Sequence, residues 1–354
     1  MRRFILALLL SPISFLYGLG VSFRNMLYDA EVIKASRFSL PLIGVGNLSI
    51  GGAGKTPHIE YLIRLLAPYL NVATLSRGYN RSTTGFRFVT AGDTALISGD
   101  EPLMYARKFP GLTVAVCENR ALGIPQMLQR YPGIQTILLD DAFQHRSVKP
   151  FIQILLTPFD HPFTRDYLLP GGRLREWRSA YSRANVIIVT KCPDALSQEQ
   201  RDALITEIAP KDHQKIFFTR YRYGRIYQFY DGRYTMEINQ DHDVLLISAI
   251  ANTAYLNEYL KKTALSYSSI EFEDHHYFTE KDADDIIRTF FKRESKLRYV
   301  LTTEKDAVRL LPFRQKLLDA KVPVFVLPVE VEFLLGEGEA FNNYIKQSLL
   351  DFTS

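Results

Sequence analysis

The sequence predicts an α/β protein made of two units, each alternating strands with helices. Short apolar runs that are typical of buried strands recur between residues 40 and 189, and helical stretches lie between them. The texture changes at residues 216–238, where Tyr, Phe and Arg alternate, and a second series of strands and helices follows. The predicted divisions are an N-terminal helix at 1–24, a first domain at 25–215, a β-strand linker at 216–238 and a second, smaller domain at 239–354.

The first predicted strand leads directly into a glycine-rich turn. Residues 40–45 are apolar, and apolar residues recur at helical spacing from Ile59 to Leu66. Strand, glycine-rich turn and helix in this order form the context of a P-loop, whose backbone N–H groups and helix N-terminus bind phosphate. Lys55 would reach the β- and γ-phosphates of ATP, and the Thr56 hydroxyl would hold Mg²⁺. The nucleotide-binding residues predicted here are Asn47, Gly51, Gly52, Ala53, Gly54, Lys55, Thr56 and Pro57.

This loop departs from the usual pattern at one position. Ser49 stands where GxxxxGK[ST] has its first glycine, so Gly51 and Gly52 would supply the flexibility of the loop. The alternative is a glycine-rich turn that binds nothing. A Lys-Thr pair at the start of the helix favours phosphate binding, and we therefore predict that the first domain is P-loop NTPase-like.

Composition narrows the classes of function. The 354 residues are 47% hydrophobic, which is enough for two domains with apolar cores. A net charge of +5 suits an anionic ligand or a membrane surface, but it is too small to indicate nucleic acid, and no nucleic-acid partner is expected. Cys117 and Cys192 lie far apart and form neither a disulfide framework nor a zinc spacing, which suits a reducing compartment.

The N-terminus joins basic residues to an apolar stretch from Phe4 to Val21. Three alternatives are a signal peptide or spanning segment, an ordinary core helix, and a helix lying in the membrane interface. A spanning helix needs about 20 apolar residues, but Ser, Pro and Gly interrupt this stretch, and no convincing signal cleavage site follows. The interfacial helix fits best. It would place Arg2, Arg3 and Arg24 at the headgroups, and Phe15, Leu16, Tyr17 and Phe23 in the acyl boundary.

Charged residues follow two of the predicted strands. Asp140 and Asp141 end an apolar strand, which is the Walker B arrangement in which a carboxylate holds Mg²⁺ directly or through water. Arg120 follows another strand and is placed to neutralise phosphate charge. Such strand ends are common alone, but together with the P-loop they indicate one nucleotide site.

Two further groups have a structural and a functional interpretation. Asp100 and Glu101 precede a helix, where carboxylates favour the N-terminus, but one of them could also face the nucleotide as a base or metal partner. His275 and His276 are adjacent and have no metal-ligand spacing, so they indicate either a turn or a proton-transfer role.

Several short runs between residues 46 and 310 belong together: 46–47, 51–57, 76–79, 99–102, 118–120, 139–146, 174–176, 274–276 and 302–307. Taken as a set, they resemble the tetraacyldisaccharide kinase family of lipid A synthesis. The Gly-Asp-Glu-Pro run at 99–102 and the Asp-Asp-x-Phe-Gln-His-Arg run at 140–146 are far more diagnostic than the P-loop. Ala142 stands where the family has Gly, and Arg173 where it has Pro, but neither change removes a functional group.

The resemblance implies two α/β/α domains joined by a short strand linker, with the active site in the cleft between them. It also implies a monotopic protein on the cytoplasmic face of the bacterial inner membrane, whose first helix contacts membrane lipid. The implied reaction uses ATP and Mg²⁺ to phosphorylate the 4′-hydroxyl of lipid A disaccharide 1-phosphate. No obligatory protein partner is expected.

The resemblance also implies residue roles. Asp100 would take the proton of the sugar hydroxyl, and His275, or alternatively its neighbour His276, would pair with Asp100 from the second domain. Lys55 and Arg120 would contact the transferred phosphate. The magnesium site would be built from Thr56, Asp140 and Asp141, with Glu101 and Gln144 nearby.

Two other classes of function are compatible with parts of the sequence. A P-loop GTPase or metallochaperone-like ATPase would act as a switch and could equally use the glycine-rich loop and the Thr190-Lys191 turn. A soluble kinase for a small molecule is the other alternative. Neither rival needs an apolar N-terminus, so solubility of the full chain without detergent would favour them.

Overall fold

Two β-sheets, of nine and six strands, organise the molecule. The structure is a computed structural model and describes residues 9–353. The mixture of parallel sheets and helices confirms the predicted α/β fold class.

The nine-stranded sheet carries the glycine-rich loop at its centre. Its strands are β1 (Leu42–Asn47), β2 (Val72–Ser76), β3 (Arg87–Phe88), β4 (Thr113–Val116), β5 (Thr136–Asp140), β6 (Ile152–Pro158), β7 (Val186–Thr190), β8 (Lys215–Tyr223) and β15 (Val329–Phe333). They lie in the order β15-β8-β7-β6-β1-β5-β2-β4-β3. Strand β1 pairs in parallel with β5 and β6, so the loop after β1 and the acidic end of β5 meet at one edge.

Helices connect these strands. They are α1 (Ser11–Asp29), α2 (Lys55–Leu66), α3 (Ala95–Ser98), α4 (Asp100–Lys108), α5 (Arg120–Arg130) and α6 (Gln198–Ile208), with short 3₁₀ helices at Phe163–Arg165 and Arg178–Arg183. Every residue of β1 is buried. Its side chains alternate between two core clusters, Ile43 and Val45 in one and Leu42 in the other, as expected for a strand covered on both faces.

The six-stranded sheet contains β9 (Ile226–Gln228), β10 (Thr235–Met236), β11 (Asp243–Ser248), β12 (Ser266–Glu271), β13 (Arg298–Thr303) and β14 (Val324–Leu327), in the order β10-β9-β14-β13-β11-β12. Its four longer strands are parallel neighbours. The helices of this region are α7 (Ala254–Thr263), α8 (Glu280–Phe291), α9 (Glu304–Leu310) and α10 (Arg314–Asp319), with a 3₁₀ turn at Leu311–Phe313.

The end of the chain returns to the first sheet. Strand β15 pairs antiparallel with β8, and α11 (Gly338–Leu350) packs Phe341 and Ile345 into the core around α2. The sequence placed residues 239–354 in one domain, whereas two strands of this range lie in different sheets, Val324–Leu327 in the second and Val329–Phe333 in the first. Strand β8, assigned to the linker, is likewise part of the nine-stranded sheet.

Helix α1 lies on the surface of the first unit. Ser14 and Gly18 are its buried residues. Among residues 9–353, no helix has both the length and the apolar character to span a membrane. Arg2 and Arg3, predicted to contact headgroups, lie outside the described residues. The exposed apolar side chains of the helix include Ile13, Phe15, Leu16, Leu19, Phe23 and Met26.

Candidate active site

The glycine-rich loop between β1 and α2 adopts the backbone conformation that its glycines predict. Gly51 has φ of 105° and Gly54 has φ of 88°, both in the region that favours glycine. Gly54 is the residue before the first turn of α2, so Lys55 and Thr56 open the helix at the loop. Ser49 instead forms a β-bridge with Leu174, which explains why no glycine is needed there.

Lys55 lies between two oxygen-bearing side chains at the ends of central strands. Its Nζ donates to Asn47 Oδ1 at 3.2 Å and lies 3.6 Å from Asp141 Oδ1. The two terminal nitrogens of Arg175 donate to the two carboxylate oxygens of Asp141, at 2.9 and 3.0 Å. Burial raises the pKa of Asp141, but Lys55 and then Arg175 outweigh it and hold that pKa well below its usual range.

The neighbouring Asp140 is in a different electrostatic state. It is 2% exposed, and its Oδ2 accepts a hydrogen bond from the Tyr105 hydroxyl at 2.9 Å. Burial, and then the nearby Glu101 carboxylate, raise the pKa of Asp140 to about 7. Its Oδ1 is buried and has no hydrogen-bond partner among residues 9–353. A buried carboxylate oxygen without a partner is a suitable ligand for a cation.

Thr56 and Glu101 meet beside this carboxylate. The Thr56 hydroxyl donates to Glu101 Oε1 at 3.3 Å, and Lys305 Nζ from the second unit donates to the same oxygen at 3.2 Å. Within residues 9–353 no three His, Cys, Asp or Glu side chains form a ready-made metal cluster. This does not conflict with Mg²⁺, which keeps several waters and uses one or two carboxylates together with substrate phosphates.

Asp100 is held by cationic side chains from the second unit. His275 Nδ1 lies 3.1 Å from Asp100 Oδ2, and Arg309 Nη2 donates to the same oxygen. Lys305 Nζ is 3.8 Å from it. Burial raises the pKa of Asp100, but Lys305, His275 and Arg309 together outweigh burial and keep it well below its usual range.

The two adjacent histidines have different surroundings. His275 has φ of 64°, and its Nε2 lies 3.5 Å from Lys305 Nζ. Arg309 Nη2 also lies 3.2 Å from His275 Nδ1, so the ring lies among Asp100, Lys305 and Arg309. His276 Nε2 lies 2.9 Å from Asp282 Oδ2, and its ring stacks on Phe272 within the second unit. The contact with Asp100 therefore belongs to His275.

Two other predicted residues are held mainly by backbone carbonyls. Arg120 is 1% exposed, and it donates to the carbonyls of Glu118 and Asp140, both at 3.2 Å. Burial lowers the pKa of Arg120 to about 10. The Gln144 amide donates to the Asn47 carbonyl at 3.0 Å. Among the described residues, neither side chain shows a hydrogen bond to Thr56 or Glu101.

Three residues of this site were not assigned a role from the sequence. Arg175 contacts Asp141, Lys305 contacts Glu101, and Arg309 contacts Asp100. The runs at 174–176 and 302–307 contributed only to the family resemblance, and Arg309 lies just beyond the second run. The sequence signal for these residues is that they lie in or next to short charged runs shared with the family. No spacing rule connects such runs with carboxylates 34 to 209 residues away in the chain.

A largely parallel sheet with a glycine-rich loop between its central strand and the next helix defines a protein of the P-loop kinase fold. The chain belongs to the tetraacyldisaccharide-1-P 4′-kinase family, since the family profile matches residues 6–350.

Relatives support this assignment along nearly the whole chain. The tetraacyldisaccharide 4′-kinase of Bacteroides thetaiotaomicron is 40% identical over 347 residues, covering 95% of this chain and 91% of that protein. The enzyme of the same name from Flavobacterium johnsoniae is also 40% identical, covering 96% and 98%. The crystal structure of the "apo" form of LpxK from Aquifex aeolicus in complex with ATP is similar, with a TM-score of 0.74, 27% identity and coverage of 99% and 100%.

Proposed function

We propose that the protein phosphorylates the 4′-hydroxyl of tetraacyldisaccharide 1-phosphate, with ATP and Mg²⁺, to give lipid IVA in lipid A synthesis. Family membership supports the reaction, and the contact between Asp100 and His275 beside the glycine-rich loop is the observation that carries it for this chain. The glycine-rich loop between β1 and α2, or phosphate loop, would bind ATP. The cleft between the two units would admit the sugar hydroxyl.

Asp100 is the proposed base. Its Oδ1 accepts the backbone N–H of Glu101 at 2.8 Å, while His275 and Arg309 occupy Oδ2. The carboxylate is therefore ionised, and Oδ1, which accepts one of these hydrogen bonds, keeps a lone pair for the 4′-hydroxyl. Because Asp100 is buried, a partial opening of the cleft would precede proton transfer. His275 then keeps the carboxylate oriented.

Phosphate charge would be neutralised by Lys55 and Arg120 together with Mg²⁺. The residues that would hold the ion are Thr56, Asp140, Asp141 and Glu101, with Gln144 behind them, and the unpartnered Oδ1 of Asp140 fits this assignment. Mg²⁺ supplies Lewis-acid stabilisation of the phosphoryl oxygens when bound. Asp141 stays ionised beside Lys55 and keeps the lysine pointed at the loop.

The reaction is tested by transfer of ³²P from γ-labelled ATP to lipid A disaccharide 1-phosphate in mixed micelles, with Mg²⁺ or with EDTA. We expect labelled lipid only with Mg²⁺. Hydrolysis of ATP without any labelled lipid would instead support a nucleotide switch and would contradict the kinase assignment.

We also propose that helix α1 lies in the cytoplasmic leaflet of the inner membrane. Its exposed apolar face includes Leu16 and Phe23, which are 67% and 60% exposed. Large exposed apolar surfaces on one face of a helix are typical of membrane-interface contacts. A substrate with four acyl chains stays in the bilayer, so an enzyme anchored at the interface meets it there.

The membrane contact is tested with the double substitution Leu16→Glu and Phe23→Glu. We expect the variant to stay in the supernatant when sedimented with phospholipid vesicles, because two carboxylates would enter the acyl boundary. Leu350→Glu is the matched control, since Leu350 is 79% exposed on the last helix and should not alter sedimentation. Equal sedimentation of the double variant and wild type would refute the anchor.

A further inference from the structure

We propose that Arg175 is a positioning residue for the phosphate loop, and that docking of helix α1 sets its position and thereby the affinity for ATP. The proposal rests on the function proposed above, but it concerns the coupling between the helix and the nucleotide site. The connecting segment is residues 168–177, which we call the strap. One side of the strap contacts the phosphate loop and the other contacts α1.

The strap is paired with the phosphate loop through its backbone. The Ile50 N–H donates to the Arg173 carbonyl and the Arg175 N–H donates to the Leu48 carbonyl, both at 2.8 Å. Ser49 and Leu174 complete an antiparallel bridge. A shift of the strap along its axis therefore moves the backbone from which the phosphate loop begins.

The guanidinium of Arg175 fixes the two side chains that contact Lys55. It donates to Asn47 Oδ1 at 2.7 Å and to the Asn47 carbonyl at 2.9 Å, in addition to both oxygens of Asp141. A planar guanidinium can satisfy these acceptors at once, whereas an ammonium cannot. With Arg175 in place, Asp141 is already paired and Lys55 can turn to phosphate. Without it, Asp141 would hold the Lys55 ammonium more tightly and compete with the nucleotide.

Helix α1 holds the strap from the other side. The Tyr17 hydroxyl donates to the Arg175 carbonyl at 2.9 Å, and Trp177 Nε1 donates to the Gly18 carbonyl at 3.1 Å. Ser14 Oγ donates to the Leu168 carbonyl and accepts from the Gly171 N–H. Ser14 and Gly18 are the buried residues of this helix, so the buried stripe of α1 is the one that faces the strap.

The two faces of α1 therefore have different contacts. The stripe with Ser14 and Gly18 packs on the strap, and the opposite surface is exposed and apolar. A shift of the helix moves Arg175 through the hydrogen bond from Tyr17. Arg175 in turn moves Asn47 and Asp141, the two residues that contact Lys55. Because these are direct contacts, the coupling needs no other moving element.

Two glycines of α1 provide a matched test. A side chain at Gly18 would come within 2.5 Å of Trp177 Cζ2 and 2.7 Å of Leu168 Cδ1, whereas Gly20 has nothing within 4 Å of its added Cβ. Gly18→Leu therefore separates the helix from the strap, while Gly20→Leu makes the same chemical change on the free surface. Both glycines lie inside the helix and gain the same helix propensity.

We expect Gly18→Leu to raise the Kd for ATP roughly tenfold or more, and Gly20→Leu to leave it unchanged. The Kd is measured calorimetrically without lipid, in the presence of Mg²⁺ and of EDTA, and vesicle sedimentation is measured in parallel. If Gly18→Leu binds ATP like Gly20→Leu, the coupling is wrong, whether or not the variant sediments like wild type. If Gly18→Leu does not fold, Tyr17→Phe replaces it; a rise in the Kd of about two- to threefold is expected, and an unchanged Kd overturns the proposal.

Substitutions of Arg175 test the positioning role directly. We expect Arg175→Met to raise the Kd for ATP while the KM for the lipid stays unchanged, and Arg175→Lys to restore only part of the affinity. Arg178→Met is the control, because Arg178 is exposed and donates to the Asp166 carbonyl away from the loop. An unchanged Kd in Arg175→Met would refute the role. Since ATP binding is measured without lipid, failure of the kinase assay itself would leave this result interpretable.

Discussion

Asp100→Ala is expected to abolish phosphoryl transfer and to leave ATP binding nearly intact. General base catalysis contributes about 10²- to 10⁴-fold, and a carboxylate oriented by its partner histidine should lie near the upper end. Binding of ATP persists because the loop ligands Lys55 and Thr56 hold no contact with Asp100 in this structure. The measurement is kcat for ³²P transfer together with calorimetric titration of ATP.

Two further variants test whether the loss depends on side-chain shape or on the removal of any carboxylate from this unit. Asp100→Asn keeps the shape of the side chain and should be as inactive as alanine, because an amide does not accept the proton. Asp93→Asn removes a carboxylate that pairs with Arg87 within the same unit and should retain activity. Turnover by Asp100→Ala at the wild-type rate would remove Asp100 from the mechanism.

A double substitution tests whether His275 acts through Asp100. His275→Gln should lower kcat less than Asp100→Ala, since the base itself remains. Adding His275→Gln to Asp100→Ala should cost little more, because the histidine acts through the carboxylate it contacts at 3.1 Å. Fully multiplicative losses would indicate that His275 acts on the substrate independently.

Much of the first unit could be predicted from local sequence. The apolar run before the loop, the glycines with positive φ and the Lys-Thr start of α2 all follow from short-range rules of strands, turns and helix termini. The acidic end of β5 was predicted by the same reasoning, since parallel strands bring their carboxyl ends to one edge. Family resemblance, rather than any local rule, brought Asp100 and His275 together across 175 residues of chain.

The features that could not be predicted depend on contacts between distant parts of the chain. The alternation of Val329, Val331 and Phe333 with Glu330 and Glu332 is a half-buried edge strand, but its partner β8 is over 100 residues earlier in the chain. No local pattern assigns it to the first sheet rather than the second. The cations Lys305 and Arg309 were missed for the same reason, because a basic residue in a helix is most often a solvated surface residue.

Arg309→Met is expected to cost about 3–5 kcal/mol of unfolding free energy at pH 7. Arg309 is 3% exposed and lies between two buried carboxylates, donating to Asp306 Oδ1 at 2.9 Å and to Asp100. Removing the guanidinium leaves two buried negative charges with weaker compensation. Urea unfolding at pH 7 measures the loss. Arg288→Met, which removes an exposed pair with Asp285, is the control and should change stability by less than about 1 kcal/mol.

The pH dependence of this loss follows from the lowered pKa of Asp100. In the wild type that carboxylate contributes stability above its unfolded pKa, near 3.9, and the contribution is lost as the pH falls. In Arg309→Met the pKa of Asp100 rises, so protonation relieves the uncompensated charge at a higher pH. The difference in unfolding free energy between variant and wild type should therefore be largest at pH 7 and shrink towards pH 4. A difference that stays constant or grows on acidification would show that Arg309 stabilises the cleft by packing rather than by charge.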